Sequence, residues 1–332
     1  MGIDISIGIS PRESLADWMT FVSELEREGA DRIWLIDSQL AMKDVYVGLA
    51  TAALHTEHLE LGTGVTNLLT RHPTVTANSI SAIAELSGGR ALLGLGAGDS
   101  AVYGLGESPS KLAAVAEALV FFRTVLGGGE GTWKGRSFRL PYEVPPVKLY
   151  LAVTQERMCR LAGRLADGAI VMGPAQKDAV ARQVGWVRAG LEEAGRHPSE
   201  VDISYVATLS VGEVASAIKD VASWATGQAR LLASTKDLPP GLQAYHEEFV
   251  RAKESYDYGE HLSTRAAHRG VISDELVQVL AIAGPASECA ARLAELKASG
   301  IDRFIFPLMG AGRVERLRQL RDEVLGASLA GA

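Results

Sequence analysis

Short apolar runs alternate along the chain with longer stretches in which apolar residues recur at helical spacing. The runs are apolar almost throughout, a pattern typical of parallel strands that are covered on both faces. The helical stretch at 73–86 begins with proline and ends before two glycines, as expected at helix boundaries. The predicted strands are residues 3–9, 32–36, 59–65, 91–95, 147–152, 169–172, 202–208 and 303–307.

The regular alternation of strands with helices predicts an α/β fold, and a count of eight strands favours a closed (β/α)8 TIM barrel over an open sheet. We expect residues 1–332 to form one barrel domain, because barrels routinely exceed about 200 residues as single units. Residues 129–146 are predicted to form a hairpin or loop before the fifth strand. Residues 211–285 are predicted to be a helical insertion without a clear strand between strands seven and eight, and such long excursions are often functional.

The charge and composition of the chain narrow the classes of partner. The net charge is -7 and no basic block is present, which argues against binding to nucleic acid or to an anionic membrane. No apolar stretch reaches the length of a membrane span, and the first residues lack the pattern of a signal peptide. Cys159 and Cys289 are expected to be packed, reduced thiols of a cytoplasmic protein. The seven histidines form no ligand cluster, so we predict no metal site.

In a TIM barrel the active site lies at the C-terminal ends of the strands, and polar residues and glycines collect there in this sequence. A small-molecule site is therefore predicted at this end. The candidate residues are Asp37 and Ser38 after strand two, Thr63, Gly64, Val65, Thr66 and Asn67 at strand three, Gly96, Ala97, Gly98 and Asp99 after strand four, Ala152, Val153, Thr154 and Gln155 after strand five, and Met172 and Gly173 after strand six.

Three of these positions have a specific chemical interpretation. The Asp37 carboxylate can accept a hydrogen bond from a ligand or orient a neighbour, or it can cap the following turn. Gly62 and Gly64 indicate a bulge, a close backbone approach or an ordinary strand-to-loop turn. Thr154 is predicted to be the N-cap of the next helix. The free amides and dipole of that helix end favour a phosphate, although capping alone also explains the residue.

Two further segments carry residues suited to ligand binding. The glycine loop at 94–99 lacks the third glycine of a dinucleotide fingerprint, because Asp99 occupies that place. A loop that lets the backbone approach a planar ligand explains it better. In the insertion, Tyr256, Asp257, Tyr258 and His261 either cover the barrel mouth or decorate an exposed helix.

Four motifs follow one another in the first third of the chain: LGTGVTN at 61–67, TRHP at 70–73, LSGGR at 86–90 and LGLGAGD at 93–99. Together they resemble the luciferase-like flavin and deazaflavin oxidoreductases, and most of all the methylenetetrahydromethanopterin reductase branch. The resemblance implies a (β/α)8 barrel, a homodimer, and a coenzyme F-420 or FMN molecule at the barrel mouth. It also implies a cis peptide at Gly64–Val65 behind the cofactor ring and a phosphate near Thr154 and Gln155.

Two departures from the family keep three functions open. Ser38 stands where deazaflavin enzymes often carry a histidine, and Gly8 stands where the pterin reductases carry a glutamate. The favoured hypothesis is an oxidoreductase that transfers a hydride between reduced coenzyme F-420 and a small organic substrate, with Asp37 as ligand or proton-relay group and Ser38 assisting. The alternatives are an FMN-dependent luciferase-like monooxygenase or reductase, and a barrel that binds cofactor without turnover.

Overall fold

The computed structural model describes residues 5–39, 41–235, 237–260, 270–308 and 310–326. Eight parallel strands form a closed barrel, which confirms the predicted fold class. Around the barrel the strands follow the order 5–9, 303–307, 202–206, 168–171, 148–153, 91–95, 60–63 and 32–35. Nearly all barrel-strand residues are buried, as expected for strands covered on both faces. The barrel strands are β1 (Ile5–Ile9), β2 (Arg32–Leu35), β3 (Glu60–Thr63), β4 (Ala91–Leu95), β7 (Lys148–Val153), β8 (Gly168–Val171), β9 (Asp202–Val206) and β12 (Arg303–Pro307).

Helices surround the barrel and cover its outer face. The first of them buries Trp18, Val22 and Leu25 at helical spacing and starts at the N-cap Ser14, whose side chain accepts from the Asp17 amide. The helices between barrel strands are α1 (Leu15–Arg27), α2 (Val45–His55), α3 (Pro73–Leu86), α4 (Ser100–Tyr103), α5 (Leu112–Leu126), α6 (Glu156–Leu165), α7 (Lys177–Glu193) and α11 (Ala286–Lys297), with α12 (Arg313–Gln319) after the last strand.

The two predicted interruptions are present. Strands β5 (Gly131–Trp133) and β6 (Arg136–Phe138) form the expected antiparallel hairpin. The insertion between β9 and β12 contains the helices α8 (Val214–Leu232), α9 (His246–Glu254) and α10 (Asp274–Leu280).

The prediction of no strand in the insertion is wrong. Strand β11 (Ile282–Gly284) pairs in parallel with β10 (Leu209–Val211) beside the barrel. Three residues are too few for a periodic pattern, and the partner strand lies far away in the sequence, so the local pattern did not reveal the pair.

Glycines in β3 and β4 make room for one large side chain inside the barrel. A Cβ atom on Gly62 would overlap the Trp34 ring, and one on Gly64 would lie 2.6 Å from the Trp34 Cβ. A Cβ on Gly94 would overlap the carbonyl oxygen of Thr63 and would also lie 3.1 Å from the same ring. Trp34 packs edge-on against Tyr150 with ring centroids 5.0 Å apart. The glycine motifs therefore serve a close approach, which is one of the predicted alternatives, and Trp34 fills the barrel below its mouth.

Two further expectations concern the backbone and the thiols. The peptide bond between Gly64 and Val65 is cis, as the resemblance implied. Cys159 and Cys289 are buried and unpaired in helices α6 and α11, as expected for packed thiols. Within the described parts of the chain, no helix combines the length and apolar character needed to cross a membrane.

Candidate active site

A cavity of about 330 Å³ opens at the C-terminal mouth of the barrel. Asp37, Asn67, Asp99 and Thr154 all line it, so the four strand ends do meet at one rim. We call this space the mouth cavity. The predicted residues that line it are Asp37, Gly64, Val65, Thr66, Asn67, Gly96, Ala97, Gly98, Asp99, Ala152, Val153, Thr154 and Met172.

A second space of about 540 Å³ adjoins the mouth cavity. Four residues, Thr154, Met172, Gln228 and Leu231, line both spaces. We call the second space the side groove. Two predicted site residues, Gln155 and Gly173, lie in the side groove rather than in the mouth cavity. The groove is also lined by two arginines, Arg157 and Arg182, and by two acidic residues, Glu156 and Asp237. The Glu156 carboxylate is ion-paired with Arg160 at 2.8 Å.

Ser38 and Thr63 line neither space. The Ser38 hydroxyl oxygen lies 3.0 Å from that of Ser100, which does line the mouth cavity. The Thr63 hydroxyl donates to the carbonyl of Gly94 at 2.7 Å and accepts from the Gly94 amide at 3.0 Å. Thr63 therefore ties β3 to its neighbour β4, and Ser38 links the loop after β2 to the start of α4.

The Asp37 carboxylate is buried and ion-paired at the rim. Its Oδ2 atom accepts from the Thr66 hydroxyl at 2.7 Å and from Arg71 Nη1 at 2.6 Å. The Nη2 atom of Arg71 donates to Asp44 Oδ2 at 2.7 Å. Burial, with Asp37 nearby, raises the pKa of the Tyr46 phenol to about 12. Arg71 belongs to the TRHP motif, and sequence reasoning did not place it in the site.

Asn67 and Gly96 shape the rim through the backbone. The Asn67 Oδ1 atom accepts from the amides of Leu69 and Thr70, both at 2.9 Å, so its side chain fixes the turn after β3. A Cβ atom on Gly96 would lie 2.8 Å from a methyl group of Val65. Glycine at position 96 therefore lets Val65 occupy the rim.

The predicted N-cap role of Thr154 is wrong. Helix α6 begins one residue later, and its N-cap is Gln155, which has extended backbone angles and makes no side-chain cap hydrogen bond. The reason is that β7 runs through Val153 and the chain stays extended before it turns into the helix. The Gln155 amide group donates instead to the Thr235 hydroxyl at 3.1 Å. The start of α6 thus faces the side groove without a side-chain cap.

Helix α8 of the insertion forms one wall of the mouth cavity, and sequence reasoning missed it. Trp224, Gln228 and Leu231 stand at helical spacing and line the cavity. The available sequence signal was Arg230 within a largely apolar helical stretch, because an arginine in such surroundings is rarely buried unless it is paired. The wall residues from α8 are Trp224, Gly227, Gln228, Arg230 and Leu231.

Arg230 connects this wall to the opposite rim. Its side chain is 4% exposed and forms an ion pair with Asp99. Its guanidinium carbon lies 4.3 Å from the ring centroid of Tyr256 and 5.3 Å from that of Tyr258. Burial alone would lower the pKa of this guanidinium, but the Asp99 carboxylate raises the pKa above its ordinary value.

The tyrosines of the insertion lie at the barrel mouth. Tyr256 is buried, and the rings of Tyr258 and Tyr103 are 5.2 Å apart, with Tyr103 on the cavity rim. Asp257 between them is exposed. The structure thus favours the interpretation in which these tyrosines cover the barrel mouth over the one in which they lie on an exposed helix. His261 lies outside the described residues.

Comparison with protein families gives a match over most of the chain. A family model described as luciferase-like monooxygenase matches residues 3–303. The chain is 29% identical over 314 residues to 5,10-methylenetetrahydromethanopterin reductase of Methanolobus tindarius, which covers 91% of this chain and 93% of that protein.

Two solved structures share the fold over almost their whole length. The coenzyme F-420-dependent tetrahydromethanopterin reductase from Methanopyrus kandleri superposes with a TM-score of 0.81 at 20% identity, covering 98% of this chain and 99% of that one. An F-420-dependent secondary alcohol dehydrogenase, in complex with an F-420–acetone adduct, gives 0.78 at 18% identity and covers 99% of both chains.

Proposed function

Because this chain belongs to the luciferase-like monooxygenase family, we propose that it is an oxidoreductase that transfers a hydride between coenzyme F-420 and a small organic substrate. The observation that carries the proposal is the pairing of a largely apolar mouth cavity with a side groove whose two arginines, Arg157 and Arg182, form no ion pair with a described carboxylate. A deazaflavin has a planar ring and a phosphate-bearing chain, which need these two environments. The relatives whose names specify this cofactor support the same assignment.

The residues present fit such a cofactor. In the side groove the Nε atom of Arg182 is buried without a hydrogen-bond partner, and the uncapped start of α6 offers backbone amides. We propose that Thr154, Gln155 and the first turn of α6 hold the phosphate, with Gly173 beside them. The ring would lie against Gly64, Val65 and the glycine loop at 96–98.

The bound cofactor supplies the hydride chemistry, and the protein supplies binding, orientation and exclusion of water. Trp34 closes the cavity toward the barrel interior, and Trp224 and Met172 add apolar walls. We propose that Asp37, the carboxylate at this rim, accepts a hydrogen bond from the ligand while Arg71 fixes its orientation. Ser38 would be a positioning residue, because it acts through Ser100.

The FMN-dependent monooxygenase or reductase is the second candidate, favoured by the description of the matching family. The two cofactors are distinguished by titrating the purified protein with each of them and following visible absorbance and fluorescence. We expect saturable binding of coenzyme F-420 and oxidation of the reduced cofactor by at least one compound in a panel of carbonyl substrates. Binding of FMN alone would overturn the proposal, and binding without any turnover would favour the non-catalytic barrel.

Three broader expectations complete the proposal. We propose that the chain is a single domain and that it works in the cytoplasm, where its two buried thiols remain reduced. We also propose a homodimer. Val47 and Leu54, one heptad apart on α2, are 48% and 65% exposed and offer an apolar face for a second copy.

A further inference from the structure

The mouth cavity contains few charged groups. Among the described residues that line it, the charged side chains are Asp37, Asp99 and Arg230. Most of the remaining surface is contributed by large apolar side chains. These are Trp34, Ile36, Val65, Met158, Ile170, Met172, Val206, Trp224, Leu231 and Ile305.

Each of these three charges already has a partner within the protein. Asp37 is paired with Arg71 and also accepts from Thr66. Arg230 is paired with Asp99, and its flat face lies over Tyr256. The charge of each of these side chains is therefore compensated within the protein, even though Asp99 Oδ1 and Arg230 Nε are buried there without a hydrogen-bond partner.

Two arginines without a described carboxylate partner lie in the adjoining side groove. Arg157 and Arg182 lie in the side groove, where the proposed function places the phosphate of the cofactor. No ion pair of either guanidinium with a described carboxylate is found; Arg182 instead donates to the carbonyl of Asp237 at 3.4 Å and stacks on Trp186. The guanidinium groups that lack a described carboxylate partner are thus segregated from the space in which a substrate must meet the cofactor ring.

From this segregation we infer that the substrate of the mouth cavity is an uncharged, largely apolar molecule, and that the Asp99–Arg230 pair excludes anions. That the bound molecule is a substrate rests on the proposed function. The charge preference of the cavity does not, because it is a property of the protein itself. An anion entering the cavity would have to compete with Asp99 for Arg230 and would lie near the Asp37 carboxylate. Burial of an unpaired charge is strongly unfavourable, whereas an uncharged ketone or alcohol loses little.

Three probes of matched shape test this preference. Cyclohexyl methyl ketone, cyclohexanecarboxylate and 1-cyclohexylethylammonium have similar volumes and differ in charge. Their dissociation constants are measured from intrinsic fluorescence, because Trp34 and Trp224 both line the cavity. Titrations are run on the cofactor-loaded protein and on the protein without cofactor. We expect the ketone to bind at least about tenfold more tightly than either ion, which corresponds to about 1.4 kcal/mol.

Substitution of the pair provides a gain-of-function test. Asp99→Asn keeps the shape of the side chain and leaves Arg230 without its counter-ion, so the affinity for cyclohexanecarboxylate should rise about tenfold or more while that for the ketone changes little. The double variant Asp99→Asn with Arg230→Met should lose this gain. Glu107→Gln is the matched control, because it removes the same charge from an exposed position beyond α4 and should leave all three affinities unchanged.

The outcomes separate the two proposals. Equal or tighter binding of either ion by the unsubstituted protein, or no binding of the ketone, would overturn the inference. So would an Asp99→Asn variant that still rejects the carboxylate. A protein that prefers the ketone but fails to bind coenzyme F-420 would support the inference and contradict the proposed function.

Discussion

The carboxylate of Asp37 and the guanidinium of Arg71 meet at 2.6 Å on the rim of the barrel. The Asp37 side chain is 2% exposed and that of Arg71 is 17% exposed, so the pair is largely shielded from water. Arg71 also reaches the more exposed Asp44 and lies over the Tyr46 ring at 5.1 Å. One side chain thus joins the rim carboxylate to the first turn of α2.

Arg71→Met is expected to destabilise the protein, because it leaves the buried Asp37 carboxylate without its partner. Breaking a buried pair costs about 3–5 kcal/mol, and partial exposure of Arg71 places the expected loss near the lower end. Urea unfolding measures the change. Asp44→Asn is the matched control, since it removes the exposed partner of the same arginine but keeps a good N-cap, and it should cost less than about 1 kcal/mol. Equal losses in the two variants would contradict this account.

Thr154→Val should weaken binding of coenzyme F-420 by roughly tenfold to a hundredfold, because a hydrogen bond to a charged group contributes about 1.5–3 kcal/mol. Thr154→Glu should weaken it further, since it places a negative charge against the phosphate. Titration followed by cofactor fluorescence measures both. Thr20→Val, on the exposed face of α1, is the control for the same chemical change. Unchanged affinity in both Thr154 variants would place the phosphate elsewhere.

Gly62→Ala should destabilise the protein by about 1–3 kcal/mol, because the added methyl group overlaps the Trp34 ring and the core cannot expand freely. The displaced ring should also change the tryptophan emission. Gly185→Ala is a control of opposite sign: position 185 is exposed on α7 and no atom lies within 4 Å of an added Cβ. That variant should gain about 0.5–1 kcal/mol. Full stability of Gly62→Ala would show that Trp34 does not need the space.

Stability should fall in alkaline solution in part because of the thiols. Burial raises the pKa of Cys159 to about 12 and that of Cys289 to about 11, whereas a cysteine in an unfolded chain ionises near pH 8.5, roughly. The contribution of the two protonated thiols to the free energy of unfolding is therefore complete below that pH. It decreases as the pH rises toward the folded pKa values, by up to about 1.4 kcal/mol per pH unit for each thiol.

Cys159→Ala should flatten this pH dependence between about pH 8.5 and pH 10, even though the lost sulfur lowers stability at neutral pH. Urea unfolding at several pH values measures the slope. Val187→Ala, another fully buried truncation, should lower stability without changing the slope. An unchanged slope in Cys159→Ala would indicate that other groups control the alkaline loss.

Light scattering should give twice the mass of the 332-residue chain at micromolar concentration. Leu54→Glu should shift the population toward the monomer, because it places a charge on the exposed apolar face of α2. Val120→Glu, on the exposed side of α5, is the control and should leave the mass unchanged. A monomer mass for the unsubstituted protein would reject the homodimer.

The barrel was predictable because its signal is local. Strands at 91–95 and 303–307 were predicted with the bounds that the structure shows, since each is a short apolar run between helices. Cavity residues at strand ends followed from the same pattern, because strand ends of a parallel barrel converge at one rim.

The wall formed by α8 was not predictable in this way. Arg230 and Asp99 are separated by 131 positions, and helical periodicity does not specify which loop a given helical face will meet. The N-cap error at Thr154 has a related cause. Both Thr154 and Gln155 are polar, and the local pattern could not decide where the extended chain ends.

Helix α8 lies in the insertion, whereas the floor of the cavity and its opposite wall come from barrel strands and their loops. Part of the selectivity is therefore encoded in a stretch of the gene separate from the scaffold, while Asp99, the partner of Arg230, belongs to the loop after β4. Mutations at cavity-facing positions of α8 such as Gln228 and Leu231 can alter which compounds are admitted while the strand ladder is kept. Trp224 is more constrained, because it packs in the same buried cluster as Trp34. A lineage that keeps the barrel and varies only these few cavity-facing positions could diversify its chemistry, because most of the rest of α8 is buried and must retain its packing.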